Sequence, residues 1–229
     1  VKFHDGSNFE ADDVAFSVKR LSSEGSDMKV VANLIKATKI IDKHTIDLIT
    51  AAPNPILPLQ LEIFYIMDKQ WAEKHKAVEA TNVKGGDEGN YANLNANGTG
   101  PFKLKSRQSG VKTELEINSN YWGKVKGNIK KAVFTPIAQD ATRVAALISG
   151  NVDMAYPVPV QDWKRLDDAK GVMPLAGPEA RTIFLGFDQL RDELLYSNIK
   201  GKNPFKDLRV RQAFIKAIGV EAIKKKVMR

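Results

Sequence analysis

The sequence contains no cysteine among its 229 residues and only three histidines. The lack of cysteine excludes disulfide bonds, thiolate catalysis and cysteine-ligated zinc sites, and it is compatible with either an oxidising or a reducing compartment. His4, His44 and His75 do not form a metal-binding pair four residues apart, and the motifs GxSxG and HExxH do not occur. We therefore expect structural or solvent-facing histidines, no cofactor, and a protein that is not an enzyme.

The sequence also lacks the long apolar run of about 18 residues that a membrane-spanning helix requires. Its hydrophobic content is 43% and its charged content 27%, a composition typical of a folded domain. A chain of this length can bury a sizeable core. We expect a folded body that is not itself transmembrane.

Acidic residues are scarce in one region only. Residues 200–229 carry ten lysines and arginines against two acids, which accounts for the whole net charge of +8. A basic module that binds nucleic acid is one interpretation. However, Val210, Phe214, Ala217 and Ile218 follow helical spacing, so the basic residues between them fit the solvated face of an amphipathic helix over residues 207–218. We favour this interpretation and expect no nucleic-acid partner.

Hydrophobic periodicity predicts helices and hairpins in the first half of the chain. Residues 11–21 have acids in the first turn and apolar positions at helical spacing, which predicts a helix. Residues 39–41 and 45–50 read as a hairpin, and residues 102–106 and 112–117 as another. A further helix is predicted over residues 68–76, after a proline-interrupted apolar segment at residues 57–67.

The second half predicts one β-α-β unit and two more strands. Residues 140–148 form a helical pattern that Gly150 can end in a left-handed conformation. Residues 132–135 and 152–155 flank this helix as candidate parallel strands. Residues 172–175 and 182–187 add two further candidate strands.

A polar, glycine-rich loop is predicted over residues 81–97. It lacks the GxxxxGK[ST] arrangement of a phosphate-binding loop. Its acids Asp87 and Glu88 are adjacent and lack the twelve-residue ligand spacing of a calcium loop. We interpret them as solvated loop acids.

Four separated segments carry a family resemblance. They are VKFHDGSNFEADDVAFSVKRL at residues 1–21, GTGPFKL at 98–104 followed by NSNYWG at 118–123, TRVAALISGNVDM at 142–154, and NPFKDLRVRQAFIKAIGVEAI at 203–223. In this order and spacing they resemble the family 5 extracellular solute-binding proteins, which are the dipeptide- and oligopeptide-binding components of ABC importers. The resemblance covers nearly the whole chain.

The resemblance implies a fold of the α/β (mixed α+β) class: a lobe like those of type II periplasmic binding proteins, with a mixed sheet and an inserted N-terminal α+β subdomain. Members of the family are longer, so we expect a fragment that lacks an N-terminal segment and most of a second lobe. The expected domains are an inserted subdomain at residues 1–96, a main-lobe portion at 97–189, and a hinge or start of the second lobe at 190–229.

The function that the resemblance implies is capture of di- and oligopeptides outside the cytoplasmic membrane and delivery to the permease subunits of an ABC transporter. The expected location is the periplasm, or the outer face of the membrane in a Gram-positive organism. Relatives with the same fold bind other solutes, so a nickel chelate, haem, a sugar or an opine remains an alternative ligand.

The resemblance also suggests where the ligand binds. The segment RTIFLGFD at residues 181–188 and its neighbours are expected to line the cleft. The candidate ligand-binding residues are Asn97, Tyr156, Pro157, Arg181, Phe184, Gly186 and Asp188. The alternatives remain open, since Phe184 can belong to the core, Asp188 can cap the following segment, and Tyr156 can close the sheet.

Tyr121 and Trp122 of NSNYWG have two possible roles. They can plug the edge of the core, or they can contact the ligand. We favour the core because this segment belongs to the scaffold in the family that the chain resembles.

Overall fold

The computed structural model describes residues 1–82, 89–178, 180 and 182–228. The chain forms two compact units, Val1–Pro136 and Ile137–Arg229, hereafter unit 1 and unit 2. The helices and strands of unit 1 are α1 Ala11–Leu21, α2 Lys29–Ala32, β1 Ala37–Asp42, β2 Thr45–Ile49, α3 Leu57–Gln60 with a 3₁₀ turn Leu61–Ile63, α4 Lys69–Lys74, α5 Tyr91–Leu94, β3 Phe102–Gln108, β4 Lys112–Ile117 and β5 Lys131–Phe134. Those of unit 2 are α6 Asp140–Ile148, a 3₁₀ turn Val160–Asp162, α7 Trp163–Asp167, a 3₁₀ turn Pro204–Lys206, α8 Leu208–Ala217, α9 Val220–Ile223 and a π-helical turn Lys224–Met228.

Helix α1 has the bounds that the sequence predicts, because its ends are determined locally. The Glu10 N–H donates to Oδ2 of Asp13 at 2.8 Å. This bond satisfies a backbone donor at the helix start that has no carbonyl partner within the helix. Acids in the first turn and Lys19 and Arg20 in the last turn complement the helix dipole. The predicted helix over residues 68–76 is also confirmed, as the shorter α4.

The core of unit 1 lies between α1 and α4. Phe16, Trp71 and Ala72 are buried together, and Met67 and Ala92 pack against them. The Trp71 ring also lies beside His75 and Tyr91, whose rings stack with centroids 4.1 Å apart. These contacts place α5 and the segment before α4 at fixed positions relative to α1.

Both sheets of unit 1 are antiparallel. Strands β1 and β2 form one hairpin, and β3, β4 and β5 form a second sheet in that order. The two hairpins predicted from the sequence are confirmed. The predicted loop over residues 81–97 is corrected in part, since α5 forms one helical turn within it. Residues 83–88, including Asp87 and Glu88, lie outside the described residues.

Unit 2 is organised around α6 and α7. Val144 and Leu166 are each 1% exposed. Helix α6 ends where the sequence predicts, with Gly150 at φ 76°, in the left-handed region that glycine adopts without strain. The N-cap of α6 is Gln139, and Asp140 is its first helical residue.

Three predicted strands are wrong. Residues 152–155, 172–175 and 182–187 are not in strands, and all strand pairs among the described residues are antiparallel and lie in unit 1. A strand needs a neighbouring strand that pairs with its N–H and C=O groups. The described residues supply none to these segments, so the β-α-β unit predicted around α6 does not form.

Helix α8 confirms the amphipathic helix predicted for residues 207–218. Asp207 is its N-cap and accepts from the Arg209 N–H at 2.9 Å. On the apolar side, the rings of Phe187, Phe205 and Phe214 form a cluster with centroids 4.8–5.6 Å apart. In the described part of the chain, no helix is both long and apolar enough to cross a membrane.

Candidate functional site

Unit 1 contains a groove with a volume of about 800 Å³. Its walls come from the N-terminal turn, the end of α1, the segment before α4 and the loop before β3. We call this cavity the unit 1 groove. The residues that line it include Ser17, Arg20, Ile63, Tyr65, Asn95, Asn97, Thr99 and Trp122.

The walls of the unit 1 groove are mainly apolar and partly aromatic. Tyr65 is 80% exposed and Trp122 is 62% exposed. The Trp122 indole Nε1 donates to the Thr99 carbonyl at 3.1 Å, which fixes the ring at the surface. The expectation that Trp122 plugs the core is therefore wrong, because this hydrogen bond holds its ring at the groove instead.

The rim of the groove is held by a polar network around Asp68. Oδ1 of Asp68 accepts from the Trp71 N–H at 3.0 Å and so caps α4. Its Oδ2 accepts from Nδ2 of Asn97 at 2.9 Å. The Ser7 hydroxyl lies 2.6 Å from Oδ2 of Asp68 and 2.6 Å from Oδ1 of Asp5, so its one proton is shared between two carboxylates.

Asn97, one of the residues predicted to bind ligand, lies within this network and lines the groove. It is buried, and its Oδ1 accepts from the Asp5 N–H at 3.1 Å. Both ends of its amide are thus already paired with the protein. Its observed role is to tie the loop before β3 to the N-terminal turn and to α4.

Arg20 brings a positive charge to the groove wall. Its Nε donates to the Ala77 carbonyl at 3.0 Å and its Nη2 to the Glu79 carbonyl at 3.4 Å. Burial lowers the pKa of this guanidinium, and the charge of Glu79 partly offsets the effect. The guanidinium is thus used to fasten the segment after α4 to α1.

The histidines behave as predicted. Nδ1 of His4 accepts from the Gly98 N–H at 3.3 Å, so its Nε2 donates to the Gly100 carbonyl at 3.0 Å. His75 stacks on Tyr91, and His44 is exposed. Across the described residues, no group of three or more metal-binding side chains is present.

Tyr156 and Pro157, two further predicted site residues, follow α6 in unit 2. Tyr156 is 84% exposed, so in this structure it does not close a sheet. The Pro157 carbonyl accepts from Nε of Arg143 at 2.9 Å. Arg143 is buried and also donates to the Ile137 carbonyl at 2.7 Å and to Oδ1 of Asp140 at 2.5 Å. Arg143 thus places the Tyr156-Pro157 pair against the start of α6.

Phe184, Gly186 and Asp188 belong to a stretch of unit 2 that forms neither helix nor strand. Phe184 is 78% exposed, which rules out a core position in this structure. A Cβ atom added at Gly186 would contact only the Phe184 ring, at 3.8 Å. Asp188 caps the following turn, with Oδ1 accepting from the Leu190 N–H at 3.0 Å and the Arg191 N–H at 3.2 Å. The Arg191 side chain and these backbone bonds lower the pKa of Asp188.

Within unit 2, the described candidate residues lie in two separate stretches, residues 156–157 and 184–188. Arg181 lies outside the described residues. Among those described, no hydrogen bond, ion pair or ring contact joins Tyr156 or Pro157 to residues 184–188. The groove itself was not predicted from the sequence. The sequence feature that could have indicated the groove is the apolar segment at residues 57–67, which follows two prolines and has neither helical nor alternating periodicity.

Comparison with known proteins identifies relatives of this architecture. A sequence model of the bacterial extracellular solute-binding proteins, family 5 middle region, matches residues 1–229. The dipeptide-binding protein of Escherichia coli K12 is 27% identical over 249 residues, covering 99% of this chain and 43% of the relative. The glutathione-binding protein GsiB of Pectobacterium atrosepticum is 25% identical, covering 97% of this chain and 40% of the relative.

Solved structures show the same fold. NikZ from Campylobacter jejuni, in complex with Ni(L-His), matches with a TM-score of 0.72 and 23% identity over 100% of this chain and 42% of that chain. The dipeptide-binding protein from Pseudoalteromonas sp. SM9913, in complex with Met-Leu, matches with a TM-score of 0.71 and 20% identity over 96% of this chain and 42% of that chain.

These matches confirm the predicted fold class, a mixed α/β architecture of the type II periplasmic binding protein kind. The chain spans about two-fifths of the length of the curated relatives that it matches. The chain belongs to the bacterial extracellular solute-binding proteins, family 5.

Proposed function

We propose that this chain is part of the substrate-binding component of an ABC importer, which captures di- or oligopeptides outside the cytoplasmic membrane and delivers them to the permease. The observation that carries the proposal is the family match over residues 1–229. The 27% identity to a dipeptide-binding protein favours peptide as the ligand. The family name supports an extracellular location, and we propose the periplasm or, in a Gram-positive organism, the outer face of the cytoplasmic membrane.

The shape and chemistry of the unit 1 groove support a binding role. Ligand pockets in proteins usually have volumes of about 300–1,000 Å³ and mostly apolar walls with a few polar groups. The groove of about 800 Å³ fits that range. Its rim is rigid because Asp68, Asn97 and Ser7 are hydrogen-bonded to one another.

We assign the ligand contacts in unit 2 to the predicted residues, with distinct roles. Tyr156 and Phe184 present exposed aromatic rings, and Gly186 leaves open space beside the Phe184 ring. The Pro157 carbonyl is held in place by the Arg143 side chain, and the Asp188 carboxylate by the Arg191 N–H. Arg181 adds a cationic side chain in the same sequence stretch.

Closure of two lobes around a ligand explains how such a component works. The ligand favours the closed state only through contacts that the open state lacks. We propose that residues 1–96 form the inserted subdomain, 97–189 the main-lobe portion and 190–229 the hinge or start of the second lobe. A binding role requires no reacting side chains, so we propose that the protein is not an enzyme.

The test is calorimetric titration of a di- to pentapeptide pool into the full-length protein. We expect saturable binding, with a ligand-dependent rise in melting temperature that follows from binding to the folded state alone. Binding of a nickel chelate, haem, a sugar or an opine, with no binding of any peptide, would replace peptide import by import of that solute.

A further inference from the structure

We infer that the unit 1 groove holds a bulky apolar side chain of the ligand, so that the protein prefers peptides with an aromatic or branched aliphatic residue over peptides with an acidic or basic one. This inference rests on the proposed function, because it assigns a side-chain preference to the same ligand. The relevant features are the pairing of the polar groups along the groove, the exposure of its apolar walls and its charge.

The side chains of Ser17, Asn95 and Asn97 along the groove are already hydrogen-bonded within the protein. The Ser17 hydroxyl donates to the Asp13 carbonyl at 2.7 Å and accepts from the Met67 N–H at 2.8 Å. Nδ2 of Asn95 donates to the Tyr91 carbonyl at 3.0 Å. Asn97 is held at both ends of its amide. A polar ligand group would lose water here and find few partners in exchange.

Backbone groups of the loop before β3 are paired as well. The Gly98 N–H donates to Nδ1 of His4, and the Gly98 carbonyl accepts from the His4 N–H at 2.8 Å. The Thr99 carbonyl accepts from Trp122, and the Gly100 carbonyl accepts from Nε2 of His4 and from Nδ2 of Asn118. These pairings reduce the capacity of the loop to bind a charged or hydrogen-bonding side chain.

The apolar walls are available for contact. Ile63 and Tyr65 lie in the same short segment and are 52% and 80% exposed. The Trp122 ring is held in place by its hydrogen bond to Thr99 and presents a preorganised aromatic surface. An apolar side chain that enters the groove would remove these surfaces from water at little cost in ordering.

The charge of the groove favours the same conclusion. Among the described residues that line it, Arg20 is the only one with a charged side chain. Its Nε and Nη2 already donate to the Ala77 and Glu79 carbonyls. An acidic ligand side chain would lose its water in exchange for the remaining guanidinium donors alone, and a basic one would meet a positive charge.

The experiment measures the affinity of the full-length protein for matched dipeptides by calorimetry. The pairs are Ala-Phe against Ala-Glu, Ala-Leu against Ala-Lys, and Phe-Ala against Glu-Ala, so that neither ligand position is assumed. We expect the apolar member of at least one pair to bind about tenfold or more tightly, the discrimination that apolar pockets achieve.

Two groove variants and one control test whether the groove is responsible. Ile63→Lys should weaken binding of the preferred apolar peptide by about tenfold and reduce its advantage over the acidic one, since it places an ammonium group in the groove. Tyr65→Ser removes an exposed ring and should weaken the same peptide without unfolding the protein. Leu59→Lys, at a 75% exposed position outside the groove, should leave both affinities unchanged.

The outcomes separate this inference from the proposed function. Peptide binding with an apolar preference that Ile63→Lys and Tyr65→Ser reduce, and Leu59→Lys does not, supports both. Peptide binding without such a preference, or with equal effects of Ile63→Lys and Leu59→Lys, overturns the groove assignment and leaves peptide import intact. Binding of a non-peptide solute alone overturns both.

Discussion

The two units of this chain bury different proportions of their apolar residues. Unit 1 buries Phe16, Trp71 and Ala72 together, and it also contains a buried hydrogen bond between Asn97 and Asp68. Unit 2 buries Val144 and Leu166 but leaves large side chains exposed along residues 172–199, among them Met173, Leu175, Ile183, Leu190 and Tyr196. Exposed apolar side chains in such density mark surfaces that are used for contacts. Unit 1 thus combines a buried core with exposed apolar side chains such as Val30 and Leu59, whereas unit 2 buries few apolar side chains and exposes many large ones.

The buried polar groups of the units also differ. In unit 1, Asp68 accepts hydrogen bonds from three chain segments and thereby holds the rim of the groove. In unit 2, Arg143 donates to three oxygen atoms and holds the start of α6 to the segment after it. The partners of Asp68 lie up to 61 residues away in sequence, whereas those of Arg143 lie within 14 residues. Four measurements test this comparison, in order of decreasing expected effect.

Asp68→Ala should destabilise unit 1 by about 3 kcal/mol, because it removes the cap of α4 and leaves buried donors unpaired. Hydrogen exchange of the α4 amides measures this change as faster exchange. The matched control is Asp12→Ala. Asp12 makes an exposed ion pair with Lys69, and its loss should cost less than about 1 kcal/mol. Equal effects of the two variants would contradict a central role for the Asp68 network.

Arg143→Met should destabilise unit 2 by about 2 kcal/mol, since hydrogen bonds to a charged group contribute about that much and two carbonyls lose their donor. Exchange of the α6 amides is the readout, and those of α4 should change little. Arg165→Met on α7 is the control, because Arg165 is exposed and lies 3.6 Å from Asp162. Simultaneous acceleration of α4 and α6 exchange would show that the units do not unfold separately.

Phe205→Ala should destabilise the start of α8 by about 1 kcal/mol, because the ring is only half-buried and pairs with two neighbouring rings. The measurement is amide exchange in α8. The comparison variant Phe205→Leu keeps most of the apolar contact and should lose less. If both variants matched the wild type, the aromatic cluster would not stabilise α8.

The smallest effect concerns the pH dependence of the α8 cap. The side chain and the backbone N–H of Arg209 both donate hydrogen bonds to the Asp207 carboxylate. These bonds lower the pKa of Asp207 to about 2. Because the folded pKa lies below the unfolded value, the contribution of Asp207 is present above about pH 4 and is lost as the pH falls through about 2. An NMR titration that follows the Asp207 carboxyl carbon measures this pKa. Arg209→Ala should return the pKa toward 3.8, and an unchanged pKa would refute the assigned cause.

Local signals explain which elements could be predicted. Helix α1 and strand β4 have the predicted bounds because capping acids, alternation and flanking turns act within a few residues. Helix α6 ends as predicted at Gly150 for the same reason. The segments 152–155, 172–175 and 182–187 carry residue types that favour strands, yet the described part of the chain supplies no neighbouring strand to pair with them.

The candidate site was harder to predict than the elements. The sequence pointed to Asn97 as a ligand-binding residue, but it did not indicate that the Asn97 amide is hydrogen-bonded to Asp5 and Asp68. Trp122 was assigned to the core, whereas its bond to Thr99 holds it at the groove. Both outcomes depend on pairs of residues more than twenty positions apart.

The resemblance in four separated segments indicated the family and the fold class, and strong local signals predicted the helices and hairpins, because capping, turn chemistry and periodicity act over short distances. The folded structure was needed to find the unit 1 groove and the hydrogen bonds by which Asp68 and Arg143 join separate segments. It was also needed to show that residues 152–155, 172–175 and 182–187 form no strands. These features depend on which distant groups meet, and burial and hydrogen bonding between them are settled only when the chain folds.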